Sequence, residues 1–200
     1  MELWRNIPVL SLKESIEMLE NDLTAKPPRI SVYHDLPFAI LRYDPQDEWE
    51  LRKHVRLLST KIRAQGLELA EISLSSLFWE AIERSEGLEA VIELENGMGF
   101  EEAAKQIASY LTNKDWQPLP RLLQEKMKGL DASKHVVFLT RAASMAPRIY
   151  FMSRLLDEMK GKTDIITILC YPGSLEGITG LKFMNLDQPV HGNYKVKIYG

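Results

Sequence analysis

Ile165-Ile166-Thr167-Ile168-Leu169-Cys170 is an unbroken apolar and β-branched run with no charged residue in it. An alternating strand keeps one wet face, whereas a continuous run keeps none. The segment therefore predicts a strand covered on both sides, as in a parallel sheet with helices on each face. Tyr171-Pro172-Gly173 follows, and the Pro-Gly pair predicts that the strand stops there and opens into a loop holding Ser174, Gly177 and Gly180. Open α/β sheets gather ligands and partners at the carboxyl ends of their strands. Position alone thus makes Tyr171, Gly173, Ser174, Gly177 and Gly180 candidates for binding a ligand or partner.

The rest of the chain supplies the other layers. Ser11 and Glu14 form a capping box for a helix with Leu12, Ile16, Leu19 and Leu23 on one face, and Pro27-Pro28 ends it. Phe38 to Tyr43 reads as a strand. Asp44 is the expected N-cap of the next helix, Pro45 its first residue and Asp47 a first-turn acid. Leu51, Val55, Leu58 and Ile62 form its buried face, and Gly66 ends it. Leu67 to Ile72 alternates apolar and charged residues, predicting a half-exposed strand, and Ser73 caps a helix through Phe78, Trp79 and Ile82.

Residues 87–130 show only helical periodicity, with Phe100, Ala103, Ile107 and Leu111 on one face, a break at Pro118 and Pro120, then Leu122, Leu123 and Met127. This reads as a helical insertion packed on the sheet. The strand Val136 to Thr140, a helix with Ile149, Met152, Leu155 and Met159, the opening strand, and Tyr194 to Tyr199 complete the order. The expected fold is α/β: one three-layer domain over residues 1–200, with a mainly parallel sheet of about five strands, Rossmann-like or P-loop-like but without a Walker A motif.

Composition narrows the function classes. Two hundred residues that are 45% hydrophobic suffice for a sizeable core. A net charge of −3 gives no general attraction for nucleic acid or an anionic membrane. The single cysteine, Cys170, lies in the apolar strand, which suits a reducing compartment. No apolar stretch approaches the roughly 20 residues of a membrane span, and Met1 to Arg5 has no signal-peptide pattern. A cytoplasmic protein is expected.

Motifs for chemistry are sparse. Gly161-Lys162-Thr163 imitates the tail of a P-loop, but Leu156 stands where the first glycine belongs, and the triplet follows a helix rather than a strand. Gly173, Gly177 and Gly180 follow a strand with the wrong spacing for a dinucleotide fingerprint. His34, His54, His135 and His191 are scattered, so no metal or other cofactor is expected. Asp44 and Asp47 are explained by capping, and Arg52, Arg56 and Arg63 by a solvated helix face with intrahelical ion pairs. Arg141, directly after a buried strand, and Arg148 would project at the same edge as the glycine loop. Tyr194, Val196 and Ile198 alternate with Lys195, Lys197 and Tyr199, which predicts an edge strand with one buried and one wet face. Lys195 and Lys197 are thus candidates for contact with a partner, alongside Arg141. No catalytic or metal-binding residue stands out.

Leu36-Pro37-Phe38-Ala39-Ile40-Leu41-Arg42-Tyr43-Asp44-Pro45-Gln46-Asp47-Glu48, followed by Leu51-Arg52-Lys53-His54-Val55, is one of three carrying segments. Gly66 to Ile72 with Leu74 is the second. Val137-Phe138-Leu139-Thr140 with its helix, then Leu169-Cys170-Tyr171-Pro172-Gly173, is the third. In order and spacing, from about Leu10 onward, the chain resembles the BrxB family of the bacterial BREX phage-exclusion systems. Such chains often carry glycine where this one has Arg141, and no catalytic residue is carried over.

The resemblance implies a non-enzymatic accessory or adaptor of a phage-defence system. Its partners would be other BREX components, foremost a PglZ-like protein, with nucleic acid only within the complex and no membrane. The alternative is a nucleotide- or nucleic-acid-binding subunit using the Gly173 to Gly180 loop and Arg141. Lacking a lysine-bearing phosphate cradle, the purified protein is expected not to hydrolyse ATP or GTP. Phosphate release that disappears in Lys162→Ala would overturn that expectation.

Overall fold

Ser11 begins the first helix with both halves of a capping box: its hydroxyl accepts from the Glu14 amide, and the Glu14 carboxylate accepts from the Ser11 amide at 2.8 Å. The computed structural model describes residues 10–30, 36–146, 149–176, 180–186 and 194–200. Seven helices and six strands occur among them. The helices are α1 (Leu12–Leu23), α2 (Glu48–Arg63), α3 (Leu74–Arg84), α4 (Gly87–Met98), α5 (Phe100–Thr112), α6 (Leu119–Met127) and α7 (Met152–Met159). The strands are β1 (Phe38–Tyr43), β2 (Glu68–Ser73), β3 (His135–Thr140), β4 (Thr167–Glu176), β5 (Gly180–Phe183) and β6 (Lys197–Tyr199).

Five strands form the parallel part of the sheet in the order β2-β3-β4-β1-β6. Ile40 pairs with Leu169, and Ile168 with Phe138, so the apolar run lies between two neighbours. Alternate side chains feed opposite layers. Ile168 and Cys170 join Leu41, Phe138 and the apolar stripes of α1 and α2, whereas Leu169 and Tyr171 join Ile40, Leu139 and the stripes of α3, α6 and α7. This is the expected three-layer α/β arrangement. On α2 the four buried residues are Leu51, Val55, Leu58 and Ile62, as their spacing predicts.

Three expectations are corrected. The first concerns Pro172-Gly173, which does not end β4. Beyond Pro172 the strand leaves its parallel neighbours and pairs antiparallel with β5, Ser174 opposite Lys182 and Leu175 opposite Leu181. The glycine segment is therefore a hairpin that continues the sheet. Gly173 is required there, since a Cβ would collide with the Lys182 carbonyl oxygen at a φ of +155°.

The second concerns the insertion. Its hairpin α4–α5 packs on α3 rather than on the sheet, with Ile82, Val91, Ala103 and Tyr110 forming a separate small core. Helix α3 is apolar on two sides: Leu74, Leu77 and Ala81 face the sheet, while Phe78 and Ile82 receive the hairpin. Leu111 and α6, with Ile107 and Leu130 packed against them, carry the insertion into the sheet-side core. Phe100, expected on a shared apolar face, is exposed.

The third concerns β6, which is an edge strand but lacks a wet face. Tyr199 is buried beside α1, and its hydroxyl donates to Asp22 at 2.8 Å.

Burial separates two neighbouring isoleucines. Ile168 is fully enclosed, while Ile166 precedes the strand and is half-buried. Ile168→Ala is expected to cost on the order of 2–4 kcal/mol in urea unfolding, and Ile166→Ala clearly less. Equal losses would show that the strand is not central.

Candidate functional site

Where β1 ends, Asp44 caps a short 3-10 turn, Pro45–Asp47, its Oδ1 accepting from the Gln46 amide at 3.0 Å. The turn delivers the start of α2 to the carboxyl edge of the sheet. After β3 the chain turns at Arg141 into a 3-10 turn, Ala142–Met145, on the opposite face. The connections leaving β1 and β3 thus part to opposite faces with β4 between them. This is the divergence at which α/β sheets form a crevice. A cleft of about 340 Å³ opens there, lined by Tyr43, Glu48, Arg52, Arg141, Ser144 and Met184 among others.

One wall is a tied network. The buried Tyr43 hydroxyl donates to Glu48, and Arg52 donates from Nε to the other Glu48 oxygen at 2.9 Å. Burial, and then the adjoining Glu48 carboxylate, push the Tyr43 hydroxyl far above its ordinary range, so it stays a donor. Arg52 also lies over the ring of Trp49, 4.5 Å from its centroid. Trp49 itself is 69% exposed beside Arg52. Glu48 is held from both sides and is therefore an orienting acceptor rather than a free base.

The opposite wall is different. Arg141 adopts the left-handed conformation (φ 58°, ψ 38°), and its carbonyl accepts from the Ser144 hydroxyl at 3.0 Å. Such a backbone costs a non-glycine residue on the order of 1–2 kcal/mol. Arg141 is exposed, and its guanidinium makes no hydrogen bond or ion pair among the described residues.

The other sequence candidates disperse. Tyr171 is enclosed, its hydroxyl donating to the Leu181 carbonyl at 3.3 Å and its ring edge-on to Phe183 and Tyr194. The Gly173 carbonyl accepts from Arg42 at 3.4 Å. Ser174 and Gly180 are hairpin positions, paired with Lys182 and Glu176. Gly177, Arg148, His34 and His191 lie outside the described residues. Lys195 is exposed, but Lys197 is paired with Asp22. Gly161-Lys162-Thr163 lies between α7 and β4, at the amino edge of the sheet, far from the cleft. Cys170 is a core thiol pushed far above its ordinary range by burial, then by the Glu48 and Glu71 carboxylates. Among the described residues no group of three His, Cys, Asp or Glu side chains could hold a metal ion. No helix of those residues is long and apolar enough to cross a membrane.

Glu48, Trp49, Arg52 and Ser144 were not singled out by sequence as site residues. The cap at Asp44 was the available signal, since it fixes the first turns of α2 beside the strand end.

A comparison with known families adds what the cleft cannot. The family model described as BREX protein BrxB matches residues 70–198. The chain belongs to the BrxB family. No curated protein and no solved structure matches it. BrxB membership makes the chain a component of a BREX phage-defence system. The matched range holds the insertion, Arg141 and the β4–β5 hairpin, whereas β1 and α2 precede it.

The β6 edge is tied down by one carboxylate. Asp22 accepts from Lys197 and Tyr199 and lies 3.5 Å from Arg29 Nε. Burial alone would raise its pKa, but the bonds from Lys197 and Tyr199 and the nearby cations outweigh it, and the net shift is downward. A depressed carboxyl adds stability above its unfolded value, about 3.9. That contribution is lost as pH falls through the folded value. Asp22→Asn should therefore unfold at lower urea than the parent at pH 7, with the gap closing below about pH 4. A gap that stays constant with pH would sink this assignment.

Proposed function

We propose that this BrxB-family protein is a non-enzymatic adaptor of its defence system, docking a PglZ-like component on the carboxyl edge of the sheet. The exposed Trp49, with Arg52 over its ring and Arg141 across the cleft, is the observation that carries this reading. Tryptophan and arginine dominate the energetic centres of protein interfaces. An indole left this open on a rigid helix start is a preformed anchor, needing little ordering on binding. The β4–β5 hairpin adds an exposed Leu175 at the same end of β4. The adaptor reading also accords with a cleft whose carboxylate is tied to Tyr43 and Arg52 and whose tyrosine hydroxyl is pushed upward by burial, an arrangement poorly suited to acid–base work.

A second reading is a phosphate-bearing ligand in the cleft, favoured by Arg52, Arg141, Ser75 and Ser144 sharing its lining.

Trp49→Ala and Arg141→Gly distinguish these outcomes. Arg141→Gly relieves the left-handed strain, so it should melt at or above the parent while lacking the cation. Each variant is expected to weaken the PglZ-like partner at least about tenfold in co-purification or titration. If both bind as the parent does, the carboxyl edge is not the interface. If inorganic phosphate or ATP raises the melting temperature of the parent but not of Arg141→Gly, the second reading takes its place.

A further inference from the structure

The α4–α5 hairpin leaves more apolar surface open than its size explains. Helix α4 buries Val91 alone, while Leu88 is 39% and Ile92 46% exposed, one turn apart on the same side. At the turn into α5, Met98 is 66% and Phe100 59% exposed. Isolated exposed apolar residues are ordinary, but two neighbours one turn apart, with two more at the tip of the same hairpin, are what a covered surface looks like uncovered.

Charge identifies the cover. From Glu86 to Glu102 the chain carries six glutamates (86, 89, 93, 95, 101 and 102) and no lysine, arginine or histidine. Glu86 is used internally, accepting from Tyr110 and Gln106, and Glu102 pairs with Lys105. The other four make no ion pair among the described residues. A second copy of this face would set glutamate against glutamate, and nucleic acid or an anionic bilayer would be repelled in the same way. Apolar anchors inside an acidic frame instead match an amphipathic helix whose polar side is Lys- and Arg-rich.

We infer that the exposed apolar surface of the α4–α5 hairpin, Leu88 and Ile92 on α4 beside Glu89 and Glu93, with Met98 and Phe100 at the tip, docks a basic amphipathic helix of a protein partner. This inference rests on the insertion alone and stands apart from the carboxyl-edge reading.

The probe is a synthetic peptide of about 18 residues, five helical turns, with leucines at helical spacing and lysines and arginines opposite. Controls are the same peptide with glutamate in place of every cation, and a scramble of equal composition. The full chain is titrated by fluorescence anisotropy, and amide hydrogen exchange of residues 88–103 is followed with and without peptide.

The expected result is binding of the basic amphipathic peptide only, with protection of α4. Binding should weaken between about 50 and 300 mM salt. Ile92→Asp and Glu89→Lys/Glu93→Lys should each weaken it at least about tenfold. Arg141→Gly should leave it unchanged, so failure here is distinguishable from failure at the carboxyl edge. Glu89→Lys/Glu93→Lys alters only the exposed frame and decides the matter if Ile92→Asp does not fold. The inference is overturned by equal binding of the scramble or the glutamate peptide, or by unchanged binding in the frame variant. It is equally overturned by no binding at all, or by a concentration-dependent dimer that Ile92→Asp abolishes.

Discussion

The burial of β4 on both faces is the constraint from which the rest of the structure follows. Its side chains belong alternately to two cores, Ile168 and Cys170 to that under α1 and α2, Leu169 and Tyr171 to that under α3, α6 and α7. Thr167, the one polar residue of this buried stretch, satisfies its hydroxyl locally by donating to the Ile165 carbonyl at 2.9 Å. Each enclosed aliphatic side chain contributes about 1.5–3 kcal/mol. A charged residue anywhere in the run would leave one layer with an uncompensated charge. Because β1 and β3 flank this strand and their outgoing connections part to opposite faces, the crevice forms between them.

The polar devices that shape the cleft sit at the strand ends. Asp44 starts the turn after β1, and Ser73 serves as the last residue of β2 and the N-cap of α3. Thr140 closes β3 by donating to Glu71 at 2.9 Å. Caps of this kind are worth about 1 kcal/mol each, less than one buried side chain of the central strand. They decide where helices begin, and hence which side chains stand at the carboxyl edge, rather than whether the sheet forms. Tyr43, Glu48, Arg52 and Trp49 are brought together by that local geometry.

What was legible in the sequence follows from the same division. Periodicity identified the parallel strands, and in two of them alternation or its absence matches burial: Leu67 to Ile72 alternates and lies at an edge, whereas Val136 to Thr140 does not and lies inside. Pairing beyond the parallel sheet was not legible. Pro172-Gly173 carries a turn signal, yet here Pro172 still accepts from the Met184 amide at 2.8 Å and Gly173 permits the close approach of β5. Nor can periodicity tell a helix that faces the sheet from one that faces another helix, so the two-sided α3 misplaced the hairpin. Lys197 and Tyr199 read as a wet face because the covering helix, α1, lies far away in sequence. Of the site, Arg141 was visible from its place after a buried strand. The exposed Trp49 was not, since an apolar residue on an amphipathic helix is ordinarily inside.

The insertion extends this logic outward. Helix α3 runs 11 residues, about 16 Å, from the cleft, where Ser75 contributes to the lining, to the hairpin that it carries. One end presents the aromatic and cationic surface of Trp49, Arg52 and Arg141, and the other the apolar and acidic surface of α4. Net charge is only −3, so it is the placement of charges rather than their sum that distinguishes the two ends. Opposite charges at the ends of a rigid helix favour one orientation of an approaching partner over its reverse, an effect on specificity and on-rate more than on affinity. A partner engaging both surfaces would have to present an acidic, apolar-accepting site and a basic amphipathic helix together. That pairing of opposite demands separates a single two-point partner from two independent ones more sharply than either surface does alone.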